Sequence, residues 1–193
     1  MITTDQINNL ARIYQIDTFS ILREYIQLVF LSHFYQREGA SKYYFKGGTA
    51  LRLLFGSPRF SEDLDFSTSC KKSEIEKTLE NTLKKLQSEL VGVKIRKLYE
   101  GREGLRYQVN YLSQNFKYPL NIRLDFHQQK VVKDKSFSTL KTKFPIMIFP
   151  QVFHLAEDGI LKEKINALSS RNKGRDIFDI WFLFYAYYSS TKT

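Results

Sequence analysis

Apolar residues recur with two different periods along the chain, and the change of period marks its predicted helices and strands. Spacings of three and four residues are typical of amphipathic helices, whereas strict alternation is typical of half-buried strands. The helices predicted in this way are about 3–14, 17–34 and 73–90, and the strands are about 93–99, 105–112 and 120–127. Helical spacing returns over residues 151–188, which predicts two further helices. We therefore expect an α/β (α+β) fold with a small mixed sheet flanked by helices.

The stretch between the second and third predicted helices differs from both patterns. Residues 43–45 predict the end of a short aromatic strand, and Gly47 and Gly48 then form a turn into a helix that opens at Thr49. A glycine turn at a helix N-terminus leaves backbone N–H groups free beside the positive end of the helix dipole. Such a turn suits phosphate, although Gly-Gly-Thr alone is common in ordinary turns.

Two carboxylates separated by one residue follow that helix. Residues i and i+2 share a face of a strand, so Asp63 and Asp65 should point to one side while Leu64 and Phe66 face the core. Carboxylates this close repel each other and favour a hard divalent cation such as Mg²⁺. The alternative for this pair is a solvated strand edge. Asp125 lies on the polar face of a later strand, where the alternative is a surface ion pair.

A cluster of cations lies between the two helices predicted over 151–188. Lys164 and Arg171 are seven residues apart and Arg175 is four further, so the three share a face if the helix is continuous. If Gly174 ends the first helix, Arg175 and Asp176 instead begin the second one. Both arrangements place cations beside an acid, and the alternative is an ordinary interhelix loop with surface ion pairs.

These motifs, in this order, resemble those of a known family. The sequence KGGTAL at residues 46–51, followed by RFSEDLDF at 59–66, is similar to the signature of nucleotidyltransferases of the DNA polymerase β superfamily. It is most similar to the AbiEii/AbiGii toxin branch. A second signature of that branch matches EKINAL at 163–168, with Arg171 and RDIFD at 175–179. The resemblance covers about residues 46–181.

The resemblance implies a polymerase-β-like nucleotidyltransferase fold and a set of functional residues. It implies transfer of a nucleoside monophosphate from an NTP, such as ATP, GTP or CTP, to an acceptor hydroxyl. The catalytic residues that it implies are Asp63, Asp65, Asp125, Lys164 and Asp176, and the acids Asp63, Asp65 and Asp125 would hold Mg²⁺ or Mn²⁺. The nucleotide-binding residues that it implies are Gly47, Gly48, Thr49, Arg59, Ser61, Lys164, Arg171 and Arg175. Asp179, one helical turn after Asp176, is expected to be structural.

Composition limits the class of protein and its partners. Lys and Arg number 30 against 20 Asp and Glu, and the resulting net charge of +10 favours a nucleic-acid partner over a merely soluble lysine-rich surface. At 193 residues we expect one domain, 1–193, with a catalytic sheet at about 43–127 and a C-terminal helical part at about 151–188. The lysine-rich stretch 130–143 predicts a loop, and 146–149 predicts an edge strand.

The expected location is the cytoplasm, without a membrane contact. Cys70 is the chain's one cysteine, which excludes an intrachain disulfide, and the N-terminus lacks the pattern of a signal peptide. Apolar runs near 180–188 are too short to span a bilayer.

The resemblance further predicts a toxin of a bacterial toxin–antitoxin or phage-defence pair. Its partners would then be an NTP, an antitoxin protein and an RNA acceptor such as tRNA, so that the activity is an RNA modification. One alternative is a catalytically silent module with the same fold that binds nucleic acid or an antitoxin. Another is a glycosyltransferase, because Asp-x-Asp also holds a metal–nucleotide-sugar diphosphate. That reading leaves Gly47, Gly48 and the Lys164–Asp176 cluster unexplained.

Overall fold

The structure is a computed structural model that describes residues 1–112, 118–171 and 173–190, with side chains to residue 185. The described helices are α1 (Thr4–Tyr14), α2 (Thr18–Tyr35), α3 (Gly47–Phe55), α4 (Lys72–Glu89), α5 (Glu157–Arg171) and α6 (Gly174–Ser190), with a 3-10 turn at Ala40–Lys42. The described strands are β1 (Tyr43–Lys46), β2 (Leu64–Thr68), β3 (Lys94–Gly101), β4 (Gly104–Tyr111), β5 (Leu120–Gln128), β6 (Lys135–Thr139) and β7 (Gln151–Leu155). None of these helices is long and apolar enough to cross a membrane.

The strands form one mixed sheet in the order β3-β4-β5-β2-β1-β7-β6. The pairs β2–β5 and β1–β7 are parallel, and the remaining neighbours are antiparallel. Because β1 and β2 are central, the glycine turn and the paired acids lie in the middle of the sheet rather than at an edge. The mixed sheet and its helices confirm the predicted fold class.

An aromatic core fixes the orientation of the central strands. Phe66 of β2 stacks on Phe126 of β5 with ring centroids 5.0 Å apart, and Phe34 of α2 contacts both rings. The three side chains are essentially fully buried. α2 packs on α4 and on β5, so these helices cover one face of the sheet. Alternation then places Asp65 and Asp125 on the opposite face, as the sequence predicted.

The predictions fail between β5 and α5. The predicted loop 130–143 contains strand β6, residues 151–155 form strand β7 rather than helix, and 146–149 is not a strand. The C-terminal part therefore begins with a strand, and its first helix starts only at Glu157. A short apolar run can form either element, and here pairing of β7 with β1 and β6 decides the outcome.

Candidate active site

Strand β1 leads directly into helix α3 through the two glycines. Lys46 has extended backbone and precedes the helix, and Gly47 begins it with φ of +78°. The helix therefore starts two residues before the predicted Thr49. Thr49 is buried, and its hydroxyl donates to the backbone carbonyl of Asp63. That bond fastens α3 to the start of β2. The hydroxyl of Thr49 is thus engaged within the fold, and the role of Thr49 in nucleotide binding stays a prediction.

Close neighbours leave little room for a side chain at either glycine. A Cβ atom on Gly47 would lie 2.3 Å from Oδ2 of Asp65, and one on Gly48 would lie 2.3 Å from Nη2 of Arg59 and 2.9 Å from Oγ of Ser61. The first turn of α3 is thus in contact with an acid on one side and with a guanidinium and a hydroxyl on the other. The structure brings Arg59 and Ser61 to the glycine turn.

Two carboxylates lie side by side across the central strands. In register, Lys46 of β1 pairs with Asp65 of β2, which pairs with Asp125 of β5, which pairs with Arg106 of β4. Asp63 lies two residues before Asp65 at the same end of the sheet. Burial raises the pKa of Asp65 to about 6, and the charges of Asp125 and Asp63 act in the same direction. Burial also raises the pKa of Asp63. This row has a cation at each end and two acids in the middle.

Two arginines face these acids. Arg106 donates to Oδ1 of Asp125, and Nε of Arg123 is 3.5 Å from Oδ1 of Asp63. Among the residues that the structure describes, no three acidic, histidine or cysteine side chains are placed to hold one metal ion as they stand. The three predicted ligands lie at one end of the sheet, but two of them are engaged by arginines.

The cations of the second signature surround two buried acids. Helix α5 ends at Arg171 and α6 begins at Gly174, so the chain adopts the second of the two arrangements that the sequence left open. Asp176 accepts bonds of 2.9 Å from both Nε and Nη2 of Arg171, and its Oδ1 is 3.4 Å from Nζ of Lys164. Burial acts to raise the pKa of Asp176, but the Arg171 hydrogen bonds and the Lys164 charge outweigh it and lower that pKa.

Asp179 connects the two signatures. Its carboxylate accepts bonds of 2.9 and 2.8 Å from Nε and Nη2 of Arg59, and its Oδ2 is 2.7 Å from Nζ of Lys164. The side chain is fully buried. A second connection joins Lys46 to Glu163 of α5 at 2.7 Å. Sequence spacing alone indicated only a structural residue at 179, because Arg59 lies 120 positions away.

One cavity of about 670 Å³ collects most of the predicted residues. Those that line it are Gly47, Gly48, Arg59, Ser61, Asp63, Asp65, Asp125, Lys164, Arg171 and Arg175. Asp176 lies beneath Lys164 and Arg171 rather than in the lining. Sequence reasoning missed other lining residues, and polar alternation along β4 and β5 was the signal that could have indicated several of them. They include Lys46, Arg106 and Gln129, and also Arg123 and His127, which the sequence had indicated only as an ion-pair partner and as a less likely participant.

A larger cavity, of about 1130 Å³, lies at the opposite end of β1. Residues of α2, of the segment after it, of the 3-10 turn and of α4 line it, among them His33, Arg37, Lys42 and Glu74. None of the residues predicted to be catalytic or to bind the nucleotide lines this larger cavity. The smaller cavity is therefore the candidate active site.

Comparison with known proteins agrees with the class that this fold and cavity define, a nucleotidyltransferase. The family model for the nucleotidyl transferase AbiEii toxin of type IV toxin–antitoxin systems matches residues 29–192. The chain therefore belongs to the AbiEii nucleotidyltransferase toxin family, as the two signatures predicted.

Solved structures share the fold. JHP933 from Helicobacter pylori superposes with a TM-score of 0.63 at 22% identity, covering 85% of this chain and 65% of that one. MenT4, the nucleotidyltransferase toxin Rv2826c from Mycobacterium tuberculosis H37Rv, superposes with a TM-score of 0.61 at 20% identity, covering 86% of this chain and 59% of that one. The chain thus spans about two thirds or less of these relatives. No curated protein was found to match it.

Proposed function

We propose that the protein transfers a nucleoside monophosphate from an NTP to a hydroxyl of an RNA acceptor, such as tRNA, and releases pyrophosphate. We propose further that it acts as the toxin of a toxin–antitoxin pair, restrained by an antitoxin protein. The observation that carries the proposal is the convergence of both signatures on one cavity, with acids on the sheet side and cations on the helical side.

The glycine turn and the cations supply the phosphate subsite. Helix α3 begins at Gly47, so the N–H groups of its first turn have no partner within the helix. The helix dipole favours negative charge at this end. Arg59 adjoins this turn, and Lys164 belongs to the same cavity. A compact ammonium and a guanidinium together neutralise a triphosphate and the pyrophosphate that leaves it.

The acids suit a divalent cation. Asp65 has a raised pKa because burial and two neighbouring acids disfavour its charged form, and a cation among them would remove that penalty. Asp63, Asp65 and Asp125 would hold Mg²⁺ or Mn²⁺. When bound, the ion would make the acceptor hydroxyl a better nucleophile and neutralise charge on the phosphate.

Charged side chains on the helical side of the cavity would position the reactants. The acceptor oxygen forms a bond to the α-phosphorus while the bond from that phosphorus to the pyrophosphate oxygen breaks, and the hydroxyl proton passes to water. Lys164 and Arg59 are held in place by Asp179 and would keep the leaving pyrophosphate in line. Arg171 is held by Asp176 in the same way.

The proposal is tested by incubating the protein with labelled NTPs, Mg²⁺ and total tRNA. Label should enter tRNA with the unaltered chain and be lost with Asp63→Ala and with Asp65→Ala. Asp134→Asn is the matched control, because Asp134 is an exposed acid whose partner is Lys162. Incorporation that survives both alanine substitutions would refute the assigned role of the acids.

The pairs Arg106–Asp125 and Arg123–Asp63 favour a second candidate, a module that binds nucleic acid or an antitoxin without catalysis. In that case the arginines would permanently replace the metal. Calorimetry with an NTP and Mg²⁺ separates the two candidates. Binding of tRNA without any metal-dependent binding of the nucleotide would favour the silent module.

A further inference from the structure

We propose that the uncovered face of β3, β4 and β5 binds the sugar–phosphate backbone of the RNA acceptor and leads its reactive hydroxyl to the cavity. This inference rests on the proposed function. The face, called here the open sheet face, is formed by Lys94, Arg96, Arg106, Gln108, Asn110, Asn121 and Arg123.

Strand register places these side chains on one side of the sheet. Lys94 pairs with Asn110, which pairs with Asn121, and Arg96 pairs with Gln108, which pairs with Arg123. Residues directly opposite each other in adjacent strands share a face. The alternating partners along β4 and β5, such as Val109, Ile122 and Leu124, are buried in the core on the other side.

The open sheet face carries more positive charge than nearby acids neutralise. Arg106 and Arg123 pair with acids at the cavity, but among the described side chains the two cations that β3 adds to this face do not. Lys94, Arg96, Arg106 and Arg123 are all exposed. Within the described part of the chain, neither Lys94 nor Arg96 has a carboxylate partner. Asp125 is the acid that β3, β4 and β5 direct to this side, and it lies at the cavity. A surface of this kind attracts a polyanion.

Hydrogen bonds hold the polar groups of the face in place. Oε1 of Gln108 accepts bonds of 2.9 and 2.6 Å from Nε and Nη2 of Arg96, and Asn110 donates to Oδ1 of Asn121. Arginine and side-chain amides are the groups that most often contact phosphate and sugar oxygens of nucleic acids. Because Gln108 is neutral, its hydrogen bonds to Arg96 do not offset the positive charge of the guanidinium.

The face is continuous with the site of reaction. Arg106 and Arg123 line the cavity as well as the open sheet face. Asn121 lies four residues before Asp125 on β5, a separation of roughly 13 Å at the rise of a strand. That length accommodates about four stacked nucleotides of one strand. The molecule that brings a hydroxyl to the acids must approach beside this face, which favours the acceptor RNA over an acidic protein as its occupant.

The test compares two double variants of equal charge. Lys94→Ala/Arg96→Ala removes charge from the open sheet face, and Lys141→Ala/Lys143→Ala removes it from exposed positions between β6 and β7. Affinity for total tRNA is measured at several salt concentrations. The first variant should bind roughly tenfold more weakly, with a salt slope smaller by about 1.4 to 1.8. Its KM for tRNA should rise with little change in kcat, and its affinity for NTP should stay the same, whereas the control should behave as the unaltered chain.

Three outcomes decide the matter and separate this inference from the proposed function. Unchanged tRNA affinity and salt slope in Lys94→Ala/Arg96→Ala would overturn the inference even if nucleotide transfer is observed. Competition by polyglutamate at the same face, as strong as that by tRNA, would overturn it in favour of an acidic protein. Loss of tRNA binding in this variant, in a protein that transfers no nucleotide, would support the binding surface while rejecting the proposed activity.

Discussion

The two sides of the cavity carry opposite charges that the protein neutralises to different degrees. On the sheet side, burial and the neighbouring acids raise the pKa of Asp65 to about 6, so its charged form is disfavoured. On the helical side, the pKa of Asp176 is lowered despite its burial, because Arg171 and Lys164 surround it. One side lacks a cation, whereas the other keeps its acids charged and has more cations than acids.

This difference indicates which ligand the cavity suits. The helical cations are held by buried acids before any ligand arrives, which limits the reorganisation needed to bind a triphosphate. A divalent cation would stabilise the charged form of the sheet acids. Arg106 and Arg123 do so only in part, because both arginine side chains are partly exposed. A metal–triphosphate complex brings the missing positive charge to one side and negative charge to the other.

The strongest test of the contrast is Asp179→Ala on the helical side. Removing a fully buried carboxylate leaves Arg59 and Lys164 without that partner, and breaking a buried ion pair costs about 3–5 kcal/mol. The free energy of unfolding in urea should decrease by this amount. Asp158→Ala, at an exposed position in the first turn of α5, is the control and should change it by less than about 1 kcal/mol. Equal effects of the two substitutions would contradict the assigned role of Asp179.

A second test concerns the contact between the glycine turn and the sheet acids. Gly47 and Gly56 have nearly the same φ, +78° and +77°, but a Cβ would meet Asp65 only at Gly47. Gly56→Ala should therefore show backbone strain alone, about 1–2 kcal/mol, and Gly47→Ala should cost about 1–3 kcal/mol more. Thermal or urea unfolding of both variants measures the difference. Equal destabilisation would show that Asp65 does not abut the turn.

Local sequence predicted the part of the site that local geometry builds. The glycine turn, the strand containing Asp65 and the alternation that places Asp125 on the same face each follow from neighbours along the chain. The parallel register of Asp65 with Asp125 then agreed with the prediction. Lys164 and Arg171 were indicated instead by the resemblance of the second signature to a known family, and both line the cavity.

Long-range packing determines what the sequence did not reveal. Strand β7 exists because Phe45 and its neighbours offer it a parallel partner, and no pattern within 151–155 distinguishes that outcome from a helix. Asp179 looked structural because its partner Arg59 is distant in sequence. The hydroxyl of Thr49 likewise has a distant partner, the backbone carbonyl of Asp63 just before β2.

A smaller effect should follow pH on the sheet side. An acid whose pKa is raised in the folded state binds a proton that the unfolded chain has already released, so stability should fall as pH rises from about 4 to 6. Over the same range, the affinity for Mn²⁺ should rise by up to about tenfold per pH unit, and it should level off near pH 7. Calorimetric titration of Mn²⁺ and melting curves at each pH measure the two trends. Asp65→Asn should remove most of the dependence of stability on pH. An unchanged dependence in this variant would mean that another group causes it.

The smallest expected effect tests whether Arg106 substitutes for the missing cation. The Arg106 side chain is 45% exposed, so its pairing with Asp125 is worth only about 0.2–1 kcal/mol. Arg106→Ala should therefore tighten Mn²⁺ binding by about 1.4- to 5-fold, because the ion no longer competes with the guanidinium. Arg96→Ala is the control, since Arg96 lies on the same face but bonds the neutral Gln108. Weaker Mn²⁺ binding in Arg106→Ala than in Arg96→Ala would mean that the arginine supports the acids instead of occupying the position of the ion.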